Sequence, residues 1–280
     1  MTIRIALVGF CNIAREHRPA ISTDQRYCLS AFITRGGDPR TGVLYFEDVA
    51  AMLAARPREL DAIALCALPA VRYSISCEAI AAGLGVLLEK PTRVTLGEIH
   101  EIERLARTAD TPLYTAWRSR HAPGFAKAAL ALAGREISSV QIAWLEDVRK
   151  WHSGQQWIWQ AGGFGVFDLG IDALSIVSQI LPCPLLIDKA RRWRATGGEQ
   201  WSIGVTTSSG TKVDLQRGGE RLSIHGEPQV LPMRRGYPSI YNHSSAKQRD
   251  RLVDVDSEPL CIAADAFPCG HRETVGAFVE

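Results

Sequence analysis

The sequence predicts an α/β chain in two parts: an N-terminal domain built on a parallel sheet, then an α+β domain with a mostly antiparallel, open-faced sheet. Three observations carry this. From Ile3 to Trp117, short apolar runs alternate with stretches of helical spacing, the pattern of parallel strands joined by right-handed crossovers. Beyond Ala122 the rhythm changes to strands punctuated by Gly197-Gly198, Gly210 and Gly218-Gly219, which suits an antiparallel meander. The segment Ile3–Ala14, IRIALVGFCNIA, runs from a buried strand through a glycine turn into a helix. The division falls near residue 118, giving domains 1–118 and 119–280, with the C-terminal segment packing back on the first domain as a variant.

Taken in order, Ile3–Val8 is the first strand and Ile13–Ser22 the first helix; Cys28–Thr34 is the second strand, and Phe46–Ala55 has helical spacing. Asp61–Cys66, Val86–Glu89 and Leu113–Trp117 continue the strands, with helices over Val71–Ala82 and Leu96–Thr108 between them. These strands are apolar throughout, as strands covered on both faces must be. In the second half, Ala122–Leu132 reads as a helix and Ser138–Glu146 as a long strand. A glycine-opened helix comes next over Gly162–Leu181, GGFGVFDLGIDALSIVSQIL, and then strands over Leu185–Ala195, Trp201–Thr207, Lys212–Gln216 and Arg221–Ile224. Pro-rich Glu227–Tyr237 reads as a loop, and the last forty or so residues give no clear pattern.

Composition bounds the function. Apolar residues make up 46% of the 280 and charged residues 22%, which allows a sizeable core and argues against disorder. The 32 basic and 30 acidic side chains are interspersed and leave a net charge of +2, so nothing recommends nucleic acid or an anionic membrane as partner. No apolar run reaches membrane-spanning length, and no signal-peptide pattern precedes the first strand. The seven cysteines (11, 28, 66, 77, 183, 261 and 269) include no CxxC and read as reduced thiols of a cytoplasmic protein. The seven histidines show no metal-ligand spacing.

Gly9-Phe10-Cys11-Asn12-Ile13-Ala14 occupies the place of a dinucleotide fingerprint, on a strand-to-helix turn at the head of the alternating domain. Gly9 suits the tight turn and Ala14 the close packing of helix on strand, while Cys11 stands where the pattern asks for a second glycine. A side chain there crowds a pyrophosphate or shifts the turn. A plain βα turn without ligand is the alternative, and the position after the first strand of a βαβ series favours the nucleotide. The second strand ends Ile33-Thr34-Arg35-Gly36-Gly37, with no carboxylate for a ribose 2′-hydroxyl. A hydroxyl and a guanidinium suit a 2′-phosphate, so NADP is favoured over NAD; Arg35 as a solvated loop charge is the bland alternative.

Glu89-Lys90-Pro91 closes the fourth predicted strand, at the carboxyl edge where such sheets hold their ligands. Lys90 there can accept a proton or stabilise an alkoxide, or be a surface lysine before a turn. Asp168 and Asp172 lie one helical turn apart on a largely apolar helix. Each disfavours the other's charge, which suggests a use, with a solvated polar face as the alternative. The stretch EDVRKWHSGQQWIWQAGG, Glu146–Gly163, gathers Trp151, His152, Trp157 and Trp159 with carboxylate and amide groups. Stacking faces and hydrogen-bonding groups together suit a polyol, and core tryptophans anchoring a long connection suit the same residues.

The glycine turn, Glu89-Lys90-Pro91, and Gly162-Gly163 leading to Asp168-x-Gly170-x-Asp172 together resemble the Gfo/Idh/MocA oxidoreductases. Within that family the stretch from Glu146 to Val177 resembles the bacterial 1-dehydrogenases of D-galactose and L-arabinose, and the likeness extends over nearly the whole chain, including Ala264-Asp265-Ala266-Phe267. The resemblance implies a Rossmann domain followed by an open-sheet domain, NAD(P)-dependent hydride transfer from C1 of an aldose, a lactone product, no metal, and a homodimer as the assembly to test. It implies Lys90, Asp168 and the position of Asp172 as the catalytic group. The cofactor would lie along Gly9, Phe10, Cys11, Asn12, Ile13, Thr34, Arg35, Cys66, Glu89 and Lys90, and the sugar near Arg118, Glu146, Trp151, His152, Trp159, Asp168 and Asp172. Four departures stand out: Cys11 for glycine, Asp172 where the sugar dehydrogenases carry Asn and the wider family often His, Arg118 where the relatives have His, and a shortened stretch between Ala195 and Gln216. They keep open a different polyol, such as an inositol or another sugar, and a non-catalytic NAD(P)-binding regulator.

Overall fold

The computed structural model describes residues 2–9, 11–34, 43–55, 59–92, 95–121, 124–135, 141–144, 155–159, 166–181, 185–195, 198–205, 213–217, 221–224, 227–229 and 236–274. The chain forms two compact units. The first comprises Met1–Trp117 and Tyr237–Asp256, and the second Arg118–Gly236 and Ser257–Glu280. The division expected from sequence falls at 118/119, with a C-terminal segment packing back on the first domain as a variant; residues 237–256 group with the N-terminal unit and residues 257–280 with the second.

The first unit holds a seven-stranded sheet of β1 (Ile3–Val8), β2 (Tyr27–Ile33), β3 (Leu44–Phe46), β4 (Ala62–Leu65), β5 (Gly85–Glu89), β6 (Leu113–Ala116) and β13 (Val253–Asp254). Their order is β13-β6-β5-β4-β1-β2-β3, and every pairing is parallel. The order reverses between β1 and β4, the switch point at which doubly wound sheets open a crevice beyond their carboxyl ends.

Alternate strand residues feed two cores. Ala6, Val8, Ile63, Leu65, Val86 and Leu88 face the side of α2 (Val49–Ala55), α3 (Arg72–Ala81) and α4 (Leu96–Thr108), with Met52, Ile80, Ile99 and Ile102 packed on them. Ile5, Leu7, Ala64 and Leu87 face α1 (Asn12–Thr23) and α7 (Gly236–Arg249), meeting Ile21, Ile240 and Tyr241. With both faces covered, the central strands carry no polar face. Two expectations are corrected. Phe46 ends a short edge strand rather than opening the helix, which begins at Val49. The loop expected over Glu227–Tyr237 gives way at both ends: Glu227–Gln229 form a strand and Tyr237 lies in α7.

In the second unit α5 (Gly124–Leu132) and α6 (Val166–Ile180) accompany two small sheets. One is β12-β11-β10-β7, from β7 (Gln141–Trp144), β10 (Val213–Arg217), β11 (Arg221–Ile224) and β12 (Glu227–Gln229). The other is β14-β8-β9, from β8 (Ile187–Ala195), β9 (Gly198–Val205) and β14 (Gly270–Thr274), which comes directly after α8 (Glu258–Cys269). Neighbours β10–β11, β11–β12 and β8–β9 are antiparallel, whereas β7–β10 and β8–β14 are parallel. Among the described residues no helix is long and apolar enough to cross a membrane.

Candidate active site

In the first unit the predicted nucleotide turn sits at the switch point. Gly9 follows β1 with φ +106°, a backbone region that favours glycine, and its N–H donates to Ile33 O at 2.9 Å. A Cβ at this position would stand 2.9 Å from Ala67 N and 3.0 Å from Cys66 C, so the turn can only pass the tip of β4 as glycine. Cys66 N–H donates to Val8 O at 2.8 Å, completing the bridge between the two strand ends.

Cys11 is the residue before α1. Its backbone is extended (φ −103°), which any side chain tolerates, and its Sγ donates to Cys66 O at 3.3 Å. The thiol is therefore turned onto the β4 tip. It makes no side-chain cap to α1, so the first N–H groups of this twelve-residue helix have no acceptor from it. An uncapped helix start beside a close-passing glycine fits the pyrophosphate of a dinucleotide. Asn12 and Ile13 form the first turn of α1. Thr34, half-buried at the end of β2, donates its N–H to Phe46 O at 2.9 Å. Burial, then the nearby Glu89 and Cys11, push the Cys66 thiol well above its usual range and keep it uncharged. Phe10 and Arg35 lie outside the described residues.

Glu89 and Lys90 stand at the carboxyl end of β5, and the Lys90–Pro91 bond is cis. Glu89 is buried, yet its carboxyl is held below the ordinary range. Burial alone would raise it; the hydrogen bond and charge of His17, then Arg72 and Lys90, outweigh that. Arg72, itself 5% exposed, reaches from α3 to the carbonyls of Ala67 (2.7 Å), Glu89 and Pro91 and pins the strand end. Sequence reasoning does not find His17, Arg72 or Tyr241. His17 carries part of a signal, because it shares the inward face of α1 with Ala14, Ala20 and Ile21; its partners are distant in sequence and leave none.

In the second unit α6 carries both predicted aspartates, Asp168 in its first turn and Asp172 a turn later. Asp172 is 2% exposed and sits within the buried run Ile171–Val177; its carbonyl accepts Ser175 Oγ at 2.7 Å. Arg118 begins a short 3-10 turn, Arg118–His121, and its stem lies so close to Gly236 that a Cβ there would run into Arg118 Cγ. Arg120 of the same turn donates from Nε to Ser175 O at 3.2 Å, tying the turn to α6 near Asp172. Trp159 ends the 3-10 turn Gln156–Trp159, and Glu146, Trp151 and His152 lie outside the described residues. Among the described residues no group of three or more His, Cys, Asp or Glu is placed to hold a metal ion.

A parallel sheet that runs β3-β2-β1-β4-β5-β6, with a glycine turn at its switch point, defines a dinucleotide-binding domain. Residues 3–116 match the family model GFO_IDH_MocA, an oxidoreductase family with an NAD-binding Rossmann fold. The whole chain is 38% identical to a galactose 1-dehydrogenase of Pseudomonas fluorescens over 309 aligned residues, 99% of each chain, and it belongs to this family. A crystal structure of a D-galactose-1-dehydrogenase protein from Rhizobium etli matches at 36% identity with a TM-score of 0.85, covering 99% of this chain and 98% of that one. The myo-inositol 2-dehydrogenase of Lactobacillus plantarum shares the fold at 15% identity, with a TM-score of 0.71 over 96% of this chain and 97% of that one.

Proposed function

We propose that this chain oxidises C1 of an aldose such as D-galactose or L-arabinose to the lactone, using NADP in preference to NAD. The observation that carries the reading is the end-to-end similarity to galactose 1-dehydrogenases in a chain that keeps Glu89-Lys90-Pro91 and the Asp168–Asp172 helix. A nicotinamide dinucleotide, when bound, supplies the hydride acceptor. Lys90 Nζ, or a relay centred on Asp168, receives the proton of the sugar's C1 hydroxyl, and Asp172 holds and polarises the sugar. Arg118, Glu146, Trp151, His152 and Trp159 complete the sugar-binding set, and Thr34 and Arg35 take the 2′-phosphate. The six described cysteines are thiols, which suits a cytoplasmic setting; a homodimer is the assembly we expect.

The test is NAD(P)⁺ reduction followed by nicotinamide absorbance across a panel of aldoses and inositols. Turnover with galactose or arabinose is expected; turnover only with inositols would move the reading to another polyol, and silence with cofactor binding intact would make the chain a non-catalytic binder. Lys90→Met and Asp168→Asn should each lower kcat by ~10²-fold or more while cofactor affinity barely changes, as for loss of a positioned proton-transfer group. Arg35→Ala should weaken NADP⁺ far more than NAD⁺, by roughly 10-fold or more for one charge-assisted contact; equal losses would place Arg35 away from the 2′ position.

A further inference from the structure

Behind Lys90, between the sheet and helices α1 and α7, lies a polar chain inside an otherwise apolar core. His17 is fully buried, and its ring stands between two oxygens: Nε2 is 2.8 Å from Glu89 Oε1 and Nδ1 is 2.7 Å from Tyr241 Oη. The other carboxylate oxygen, Glu89 Oε2, accepts the backbone N–H of Lys90 at 2.9 Å. Tyr237 packs on the imidazole with ring centroids 4.5 Å apart, and Tyr241 meets it edge-on. An imidazole, a carboxylate and a phenol are costly to bury unless each is satisfied, and apolar side chains would fill the same volume.

Burial raises the Tyr241 phenol well above its usual range, so it stays a donor, and Glu89 is held ionised, so it accepts. Nε2–H therefore donates to Glu89 Oε1, Nδ1 shares one hydrogen bond with Tyr241 Oη, and Lys90 N–H donates to Glu89 Oε2. The carboxylate beside Lys90 thus accepts at both of its oxygens.

We propose that Tyr241 and His17 are positioning residues for Lys90: they orient Glu89 so that one of its oxygens holds the Lys90 backbone and its charge stays fixed beside the ammonium. The inference rests on the reading of Lys90 as the proton-transfer group. The titratable or charged groups that face Glu89 are His17 from α1, Cys66 after β4, Arg72 from α3, Tyr241 from α7 and Lys90 itself. Replacing Glu89 by an amide removes an opposite charge and lowers the proton affinity of Lys90. Losing the phenol or the imidazole frees the carboxylate to turn and displaces the lysine.

The experiment compares pH profiles of kcat and kcat/KM, with the aldose turned over fastest, for the wild type, Glu89→Gln, Tyr241→Phe, His17→Gln, the His17→Gln/Tyr241→Phe double variant and Lys90→Met. Glu89→Gln is expected to move the profile down by about 0.5–1 pH unit, from loss of a neighbouring opposite charge. Tyr241→Phe keeps the ring contacts and should lower kcat about 10-fold with cofactor KM within about twofold, the mark of misplacement rather than lost binding. His17→Gln should lower it at least as much, and the double variant no further, because Tyr241 acts only through His17. An unshifted profile in Glu89→Gln, multiplicative losses in the double variant, or cofactor KM rising in step with the fall in kcat would each overturn the proposal. Full activity in Lys90→Met would remove the reading of Lys90 together with it; an inactive Lys90→Met beside an unshifted Glu89→Gln would overturn the positioning chain alone. Should His17→Gln fail to fold, the Glu89→Gln shift and the Tyr241→Phe loss decide the matter.

Discussion

Gly9 and Cys11 divide the nucleotide turn between them. Gly9 answers a steric demand from the backbone of Cys66 and Ala67 and a positive φ, so Gly9→Ala should destabilise the chain by about 1–3 kcal/mol and weaken the cofactor with it, seen as a lower Tm and a higher Kd. Cys11 meets no such demand. Its backbone is ordinary and its thiol is engaged with Cys66 O, so Cys11→Gly should leave the cofactor Kd within about threefold and cost about 0.5–1 kcal/mol of stability through added chain freedom. A tenfold gain in affinity would instead put the thiol against the pyrophosphate. Sequence alone singles out both residues, because a glycine after an apolar strand is a local signal. It cannot show which way the thiol turns, since that depends on a carbonyl 55 residues away. Asp172 is legible as a residue type out of place in its family pattern. Its burial is not, and a carboxylate with 2% exposure must be held by partners. We expect Asp172→Asn to keep or raise sugar turnover; a sharp loss recovered in part by Arg118→His would show that Asp172 and Arg118 work as a pair.

At the scale of elements, the parallel strands are readable because both their faces are apolar, so IALV, AIAL and GVLL need no knowledge of the rest of the fold. Helix α4 is equally plain: Thr95 caps it by accepting from Glu98 N, and Arg107 lies in its last turn. Thr95→Ala should cost about 1 kcal/mol by thermal or urea unfolding, the usual value for a lost N-cap. Helix α7 is hidden in the sequence for a physical reason. It buries Tyr237, Ile240, Tyr241, Ser244 and Ser245, a proper helical spacing, but Ile240 alone among them is aliphatic. Its inward face is polar because it carries the Tyr241 hydroxyl to His17 and receives Tyr27, whose Oη lies 2.6 Å from Ser244 Oγ. Hydrophobic periodicity cannot report a face that is held by hydrogen bonds. The second unit is less legible because its strands are short and its two sheets mix pairing directions, which local patterns do not encode.

For the whole molecule, the seating of α7 links stability to pH. Burial beneath α7 pushes the Tyr27 phenol up to about 12 from its ordinary 10.0. The folded chain binds that proton more tightly than the unfolded one, so this contribution is complete below pH 10 and disappears as the pH rises from 10 towards 12. Alkaline unfolding should therefore steepen in that window, and Tyr27→Phe should flatten it; identical curves would mean the phenol is not shielded. The discontinuous first unit makes a second demand. A fragment ending at Trp117 lacks α7 and β13 and leaves the face of Ile5, Leu7 and Leu87 covered by α1 alone, so it should aggregate, whereas the same fragment joined to residues 237–256 should fold and bind the cofactor.

That discontinuity also sets a timetable during synthesis. The ribosome releases the glycine turn ahead of residues 118–236, and the helix that seats His17 only after the whole of that segment. At the usual rate of about 5–20 residues per second, the half-built sheet waits roughly 6–24 s with one apolar face only partly covered. Chaperones have that interval in which to bind it, and a nascent chain stalled before residue 237 has no finished cradle in which to receive its coenzyme.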